Sequence, residues 1–187
     1  QTCALPIFGV VLGMFIPPVE RYEVGFIQGV HAVNPDCQVL SATSGSFTDQ
    51  AKGKELALAM IEQGADIVFQ VAGLTGLGVI NAAQEKGVLA IGVDVDQNNV
   101  APDTVITSAE KKLVESTALV IENTVNGQFP GGTTAIFGIN ENSTGISEFH
   151  SFDSVVPQAV KDILAKTIED MKAGKIKIFQ TRAEIGL

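Results

Sequence analysis

The sequence predicts an α/β fold, a doubly wound parallel sheet, and three observations carry that reading. Apolar runs of strand length alternate with amphipathic stretches of helix length, as a sheet with crossover helices requires. The run Val88–Val93 is continuously apolar, as expected of a strand covered on both faces. Two segments, Gly64–Val79 and Ile91–Gln97, read as buried strands that end in a glycine-lined turn and in carboxylates respectively. In an open α/β sheet, ligands bind in the crevice beyond the carboxyl ends of the strands.

The elements follow in order. Phe8–Leu12 is the first strand, ending at Gly13. Pro17 and Pro18 open a helix whose stripe Tyr22, Phe26, Val30 and Val33 has a period near 3.6, with Gly25 and Gly29 read as close-packing positions and Pro35 as the stop. Gln38–Ala42 is a strand, and Thr43–Thr48 a polar loop. Asp49 can cap a helix with apolar face Leu56, Ala57, Met60 and Ile61, closed by Gly64. Ile67–Val71 is a strand, Gly76–Lys86 a helix stopped by Gly87, and Val88–Val93 a strand. Beyond these, Thr104–Thr107 reads as a strand, Ala109–Asn126 as a helix capped by Ser108, and Thr133–Ile139 as a sixth strand. A helix from Pro157 with stripe Val160, Ile163, Leu164, Thr167 and Met171 leads through Gly174 to a short strand, Lys175–Phe179.

The chain has 187 residues, 45% of them hydrophobic, enough to bury one good core. Its formal net charge of -9 argues against nucleic acid as a partner, because phosphate binding needs clustered Lys and Arg. Cys3 and Cys37 stand in no metal or redox spacing. Gln1–Ile7 reads like the translation of a sequencing-adapter oligonucleotide and is expected to be foreign to the fold, with the native start, and any targeting signal, upstream.

Candidate chemistry concentrates at the strand ends. Gly73, Gly76 and Gly78 are spaced G-x-x-G-x-G, the reverse of the dinucleotide fingerprint, and Gly53-Lys54-Glu55 lacks the Ser/Thr of a phosphate loop. These glycines instead let a ligand approach the backbone, with the turn's N–H groups available to polar ligand atoms. Asp94 can accept hydrogen bonds from a pair of sugar hydroxyls. Lys111, placed in the first turn of the helix after Ser108, opposes the helix dipole; it faces either an anionic or polar partner, such as Asp94 or ligand oxygen, or solvent. Phe47 either stacks on a flat ligand ring or staples the following helix. His31 reads as a surface or packing residue and His150 as a loop anchor rather than a base. No nucleophile–base pair is visible, so the chain is not read as an enzyme, and no cofactor or metal is expected.

Taken together the segments resemble the basic membrane protein family, the purine-nucleoside-receptor-like substrate-binding lipoproteins of ABC transporters. The matching pieces are Ile16-Pro17 with Phe26, Gly45–Asp49 with Ala51–Lys54, Gly64–Phe69, Val71–Gly73 with Thr75–Gly78, Ile91–Asp94 with Asp96-Gln97, Thr107-Ser108 with Lys111, and Gly145–Ser147 with Phe149-His150 and Phe152-Asp153. The resemblance implies one lobe, plus crossover elements, of a type I periplasmic-binding-protein fold whose two lobes close on a ligand. It places a base-stacking aromatic at Phe47, a ligand-contacting glycine at Gly73, and ribose-binding groups at Asp94 and Lys111. Leu74 and Phe15 depart from the family pattern, which bears on nucleobase preference. The implied layout is a second-lobe core over 8–103, a crossover strand and helix over 104–130, and a further strand, C-terminal helix and tail over 131–187; the family's first lobe lies outside the chain. The implied partners are a nucleoside, an ABC permease and, through the family alone, a lipid anchor at an extracytoplasmic membrane face. The alternative reading is the effector-sensing domain of a transcriptional regulator with the same fold.

Overall fold

A computed structural model describes residues 6–129 and 131–187. A six-stranded sheet runs in the order β2-β1-β3-β4-β5-β6, built from β1 (Ile7–Leu12), β2 (Gln38–Thr43), β3 (Ala65–Val71), β4 (Leu89–Asp94), β5 (Val105–Lys111) and β6 (Thr144–Ile146). The first five strands pair parallel to one another, and β6 alone is antiparallel, against β5, with Ala109 opposite Ile146. The central strands bury both faces, and their alternation divides the core in two. Val10 and Leu12 of β1, with Phe69 and Val71 of β3, pack under α1 (Pro17–Val33) through Val19, Tyr22 and Phe26. Val11 and Val68 face the other way, against Ala57 and Met60 of α2 (Gln50–Glu62) and Val79, Ile80 and Ala83 of α3 (Thr75–Lys86).

Local signals explain most boundaries. Asp49 Oδ1 accepts the Lys52 N–H at 2.9 Å, capping α2 as expected, and Gly87 closes α3 at φ 68. Helices α2 and α3 approach closely because two glycines face the crossing. A Cβ on Gly53 would stand 2.2 Å from the Thr75 carbonyl oxygen, and one on Gly78 1.9 Å from that of Gln50.

Several expectations need correction. Ile7 already belongs to β1, paired with Gln38 and Ala65, so strand structure reaches into the segment read as foreign; residues 1–5 of that segment lie outside the described residues. The buried face of α1 is Val19, Glu23, Val24 and Ile27, while Val33 is 83% exposed. Gly25 and Gly29 have open space where a Cβ would stand, so neither serves close packing here. Ser108 caps nothing. It is buried in β5, which runs on to Lys111, and the helix α4 spans only Leu113–Val125. Residues 133–139 form no strand, and the sixth strand is instead Thr144–Ile146. The last helix, α5, spans Gln158–Lys172, and residues 175–179 are irregular rather than a strand.

Candidate ligand-binding site

Because the strand order changes direction on either side of β1, loops at the carboxyl edge part there and leave a crevice. A cavity of about 320 Å³ occupies that edge. Phe47, Gly73, Asp94 and Lys111, the four residues singled out in the sequence, all line it, together with Ile16, Pro18, Val19, Tyr22, Val71 and Val93. Each arrives by a different strand: Phe47 follows β2, Gly73 follows β3, and Asp94 and Lys111 end β4 and β5.

Phe47 is half-buried, and its position depends on Gly13. A Cβ on Gly13 would lie 2.3 Å from the Phe47 Cδ1, so the ring rests on bare backbone. Its carbonyl accepts the Thr75 N–H at 3.1 Å, tying the β2 loop to the start of α3. Gly73 is left-handed (φ 57), and a side chain there would press the Phe47 carbonyl oxygen at 3.3 Å. The other two glycines of the motif do not face the cavity. A Cβ on Gly76 would strike the Gln70 amide at 1.8 Å, and Gly78 faces α2. The amides of Thr75, Gly76 and Leu77 are bonded to the Phe47, Gly73 and Leu74 carbonyls, so these three are not on offer to a ligand.

Asp94 also has positive φ, 68°, a conformation that costs a non-glycine residue free energy and turns the side chain out of the strand's alternation. Its Oδ1 meets Lys111 Nζ at 2.6 Å, with the two side chains 44% and 45% exposed. An ion pair so exposed contributes at most about 1 kcal/mol, so a ligand can replace it at little cost. Lys111 reaches Asp94 from a strand end rather than from a helix's first turn: of the surroundings the sequence left open, Asp94 is the one it meets, and the element expected to carry it is wrong.

Tyr22 was read only as core. It lines the cavity, and burial together with the Asp94 charge pushes its phenol up to about 12, so it stays a protonated donor at neutral pH. The signal that would have found it is positional, since the first two turns of a helix that follows a parallel strand sit at the carboxyl edge. His150 anchors a loop, as expected, and does so through Asp96 (Nε2 to Oδ2, 2.6 Å). That bond and the Asn98 N–H help hold the Asp96 carboxyl below its usual range, against the opposing effect of burial, which is the largest single influence. His31 faces the Cys37 carbonyl at 3.2 Å. Among the described residues no group of three or more His, Cys, Asp or Glu side chains is placed to hold a metal, and no helix is long and apolar enough to cross a membrane.

A family model described as "ABC transporter substrate-binding protein PnrA-like" matches residues 4–179. The CD4+ T-cell-stimulating antigen of Listeria innocua is 33% identical over 190 residues, covering 91% of this chain and 51% of the antigen. The ABC transporter nucleoside-binding protein BmpA of Lactococcus lactis is 30% identical over 187 residues, covering 91% and 52%. The crystal structure of an ABC transporter solute-binding protein from Aeropyrum pernix superposes with a TM-score of 0.82 at 24% identity, over 95% of this chain and 58% of that one, which bears on the fold alone. The chain spans about half the length of the curated relatives it matches.

Proposed function

The chain belongs to the PnrA-like family of ABC transporter substrate-binding proteins, and on that premise we propose that it is the second lobe of an extracytoplasmic receptor that binds a ribonucleoside, by preference a purine nucleoside. The observation that carries the reading is the convergence of Phe47, Gly73, Asp94 and Lys111 on one cavity at the sheet's carboxyl edge. Each supplies a chemistry that a nucleoside needs. The Phe47 ring offers a face to the base. Gly73 lets the ligand lie against backbone. The Asp94 carboxylate accepts from both vicinal ribose hydroxyls, and Lys111, 2.6 Å away, donates to a ribose oxygen while balancing the charge.

The cavity is small and open for a ligand site, as one wall of a two-lobed cleft would be. In this reading the chain crosses to a first lobe through the segment 104–130, the lobes close by a hinge, and the closed form docks on a membrane permease. The family is one of substrate-binding transport components, and no catalytic step is assigned to the chain. The effector-sensing alternative is not favoured, because the matching family model and the nucleoside-binding relative are both transport proteins.

Calorimetry with a ribonucleoside on the two-lobed protein tests the assignment. The informative variant is Asp94→Asn, since asparagine tolerates positive φ and alanine would add backbone strain. Loss of the charged acceptor should weaken binding by about 2 kcal/mol, roughly thirtyfold. The corresponding 2′,3′-dideoxynucleoside should bind both forms equally. Unchanged affinity in Asp94→Asn would remove the ribose role.

A further inference from the structure

Behind the cavity wall lies a pair of side-chain amides that do not line it. Gln70, on β3, is fully buried. Its Oε1 accepts the backbone N–H of Ala72 at 3.1 Å, and its Nε2 donates to Gln97 Oε1 at 2.6 Å. The same Gln97 oxygen accepts the backbone N–H of Val93 at 2.9 Å, while the Gln97 N–H donates to Ser108 Oγ at 3.0 Å. The amide orientations are not interchangeable. A backbone donor at each end requires an oxygen there, which leaves the Gln70 nitrogen facing the Gln97 oxygen.

The location gives the pair its meaning. The β3–β4 ladder runs from Ile67 opposite Leu89 to Phe69 opposite Ile91 and goes no further. Past that point the two strand ends, leading to Gly73 and Asp94, are bridged by the amides. The backbone groups they grip, Ala72 and Val93, immediately precede those two cavity residues, both of which hold positive φ. Two glycines make room for the bridge. A Cβ on Gly76 would stand 1.8 Å from Gln70 Oε1, and one on Gly92 2.7 Å from Gln97 Oε1 and 2.5 Å from Ser108 Oγ. Gly76 makes room for the amide rather than for a ligand.

We propose that Gln70 and Gln97 are positioning residues, a buried amide clasp that sets the separation and backbone orientation of Gly73 and Asp94 and thereby tunes ligand affinity without touching ligand. This rests on the nucleoside-receptor reading for what is bound, but the clasp itself has a readout that does not need a ligand.

The clasp uses the oxygen of Gln97 and both ends of Gln70, so substitutions should act asymmetrically. Gln97→Glu keeps the acceptor for Val93 and Gln70 in a half-buried position. Gln70→Glu sets two acceptors against each other, and Gln97→Leu removes the bridge. In the two-lobed protein, amide hydrogen exchange at Ala72 and Val93 is measured beside calorimetric titration with adenosine. Gln97→Leu should accelerate exchange at Ala72, across the clasp, by about tenfold, and weaken adenosine binding by about tenfold. Gln70→Glu should do the same at Val93, and Gln97→Glu should stay within about threefold of the parent in both readouts, less than one lost hydrogen bond. If Gln97→Leu does not fold, Gln97→Asn, one methylene too short for the span, takes its place. Exchange confined to the substituted residue's own side, or Gln97→Glu as damaged as Gln97→Leu, overturns the clasp. If the parent protein binds no ribonucleoside, the receptor reading falls and the exchange measurement decides the clasp alone.

Discussion

Glu23 is a carboxylate at a core position of α1, its side chain only 1% exposed. Arg182, near the end of the chain, reaches it with Nε and Nη2 at 2.8 and 2.6 Å, and Ser41 on β2 donates a short hydrogen bond to the same carboxylate. The Arg182 backbone N–H also donates to Glu20, and its guanidinium lies 4.5 Å from the centre of the Phe15 ring. The C-terminal segment is thus fastened to α1 beside the loop that rims the cavity. Arg182→Ala would leave a buried charge unpaired and should lower the chain's stability by about 3 kcal/mol, the low end for a broken buried pair because Arg182 is itself a third exposed. Adding Glu23→Gln to that variant should recover most of the loss, read from the urea midpoint at constant slope. The same residue explains a failure of sequence reading. A helical stripe drawn through apolar positions cannot include a glutamate whose partner lies 159 residues away, so the reading of α1 catches Tyr22 and Phe26, which do pack on the core, but misses Glu23 and runs on to the exposed Val33. Gly73 and Asp94 were legible as cavity-lining residues because each sits where a buried strand gives way to a turn, and Phe47 because an aromatic stands out in a polar loop; what the sequence did not disclose was the Gln70–Gln97 clasp, whose two halves are individually ordinary polar residues.

Among elements, β5 shows how tertiary pairing overrides local preference. Ser108–Lys111 has the composition of a capped first helical turn, yet Gly92, Val93 and Asp94 pair with it on one side and β6 on the other, and it is strand. That extension is what carries Lys111 to Asp94. The antiparallel β6 was missed because only three residues long, with a glycine at its centre, it leaves no alternation to detect. Helix α4 has no buried residue: Leu113 and Ile121 are each 59% exposed, Val114 and Val125 each 80%. Apolar surface of that extent is what a helix docked on a partner would cover, and the two readings of α4 are separable. Replacing Val114 and Val125 with glutamate should make the 187-residue chain more soluble without changing its unfolding free energy beyond the scatter of surface substitutions, about 0.5 kcal/mol. The same pair should destabilise the two-lobed protein by more than about 2 kcal/mol if α4 docks on the first lobe. Equal effects in both contexts would show that α4 is a solvent-facing helix and would move the crossover elsewhere.

For the molecule as a whole, the arrangement of the cavity decides what this chain can do alone. Its charged groups, Asp94 and Lys111, are nearly half exposed and satisfy each other, while the apolar lining comes from α1, the loops beside it and the strand ends. A bound nucleoside would keep its outer face in water, whereas binding sites commonly bury 70–90% of a small ligand. Base stacking on Phe47 and charge-assisted bonds to Asp94 would survive, each worth about 1–3 kcal/mol, but against the rotational and translational cost of association they leave little surplus. The 187-residue chain should therefore bind adenosine at least about a hundredfold more weakly than the two-lobed protein, with a smaller heat-capacity change because less apolar surface is removed from water. Titration of both forms under one buffer and salt condition measures the difference directly. Comparable affinities would mean that the carboxyl-edge cavity is a complete site and that lobe closure serves the permease rather than the ligand.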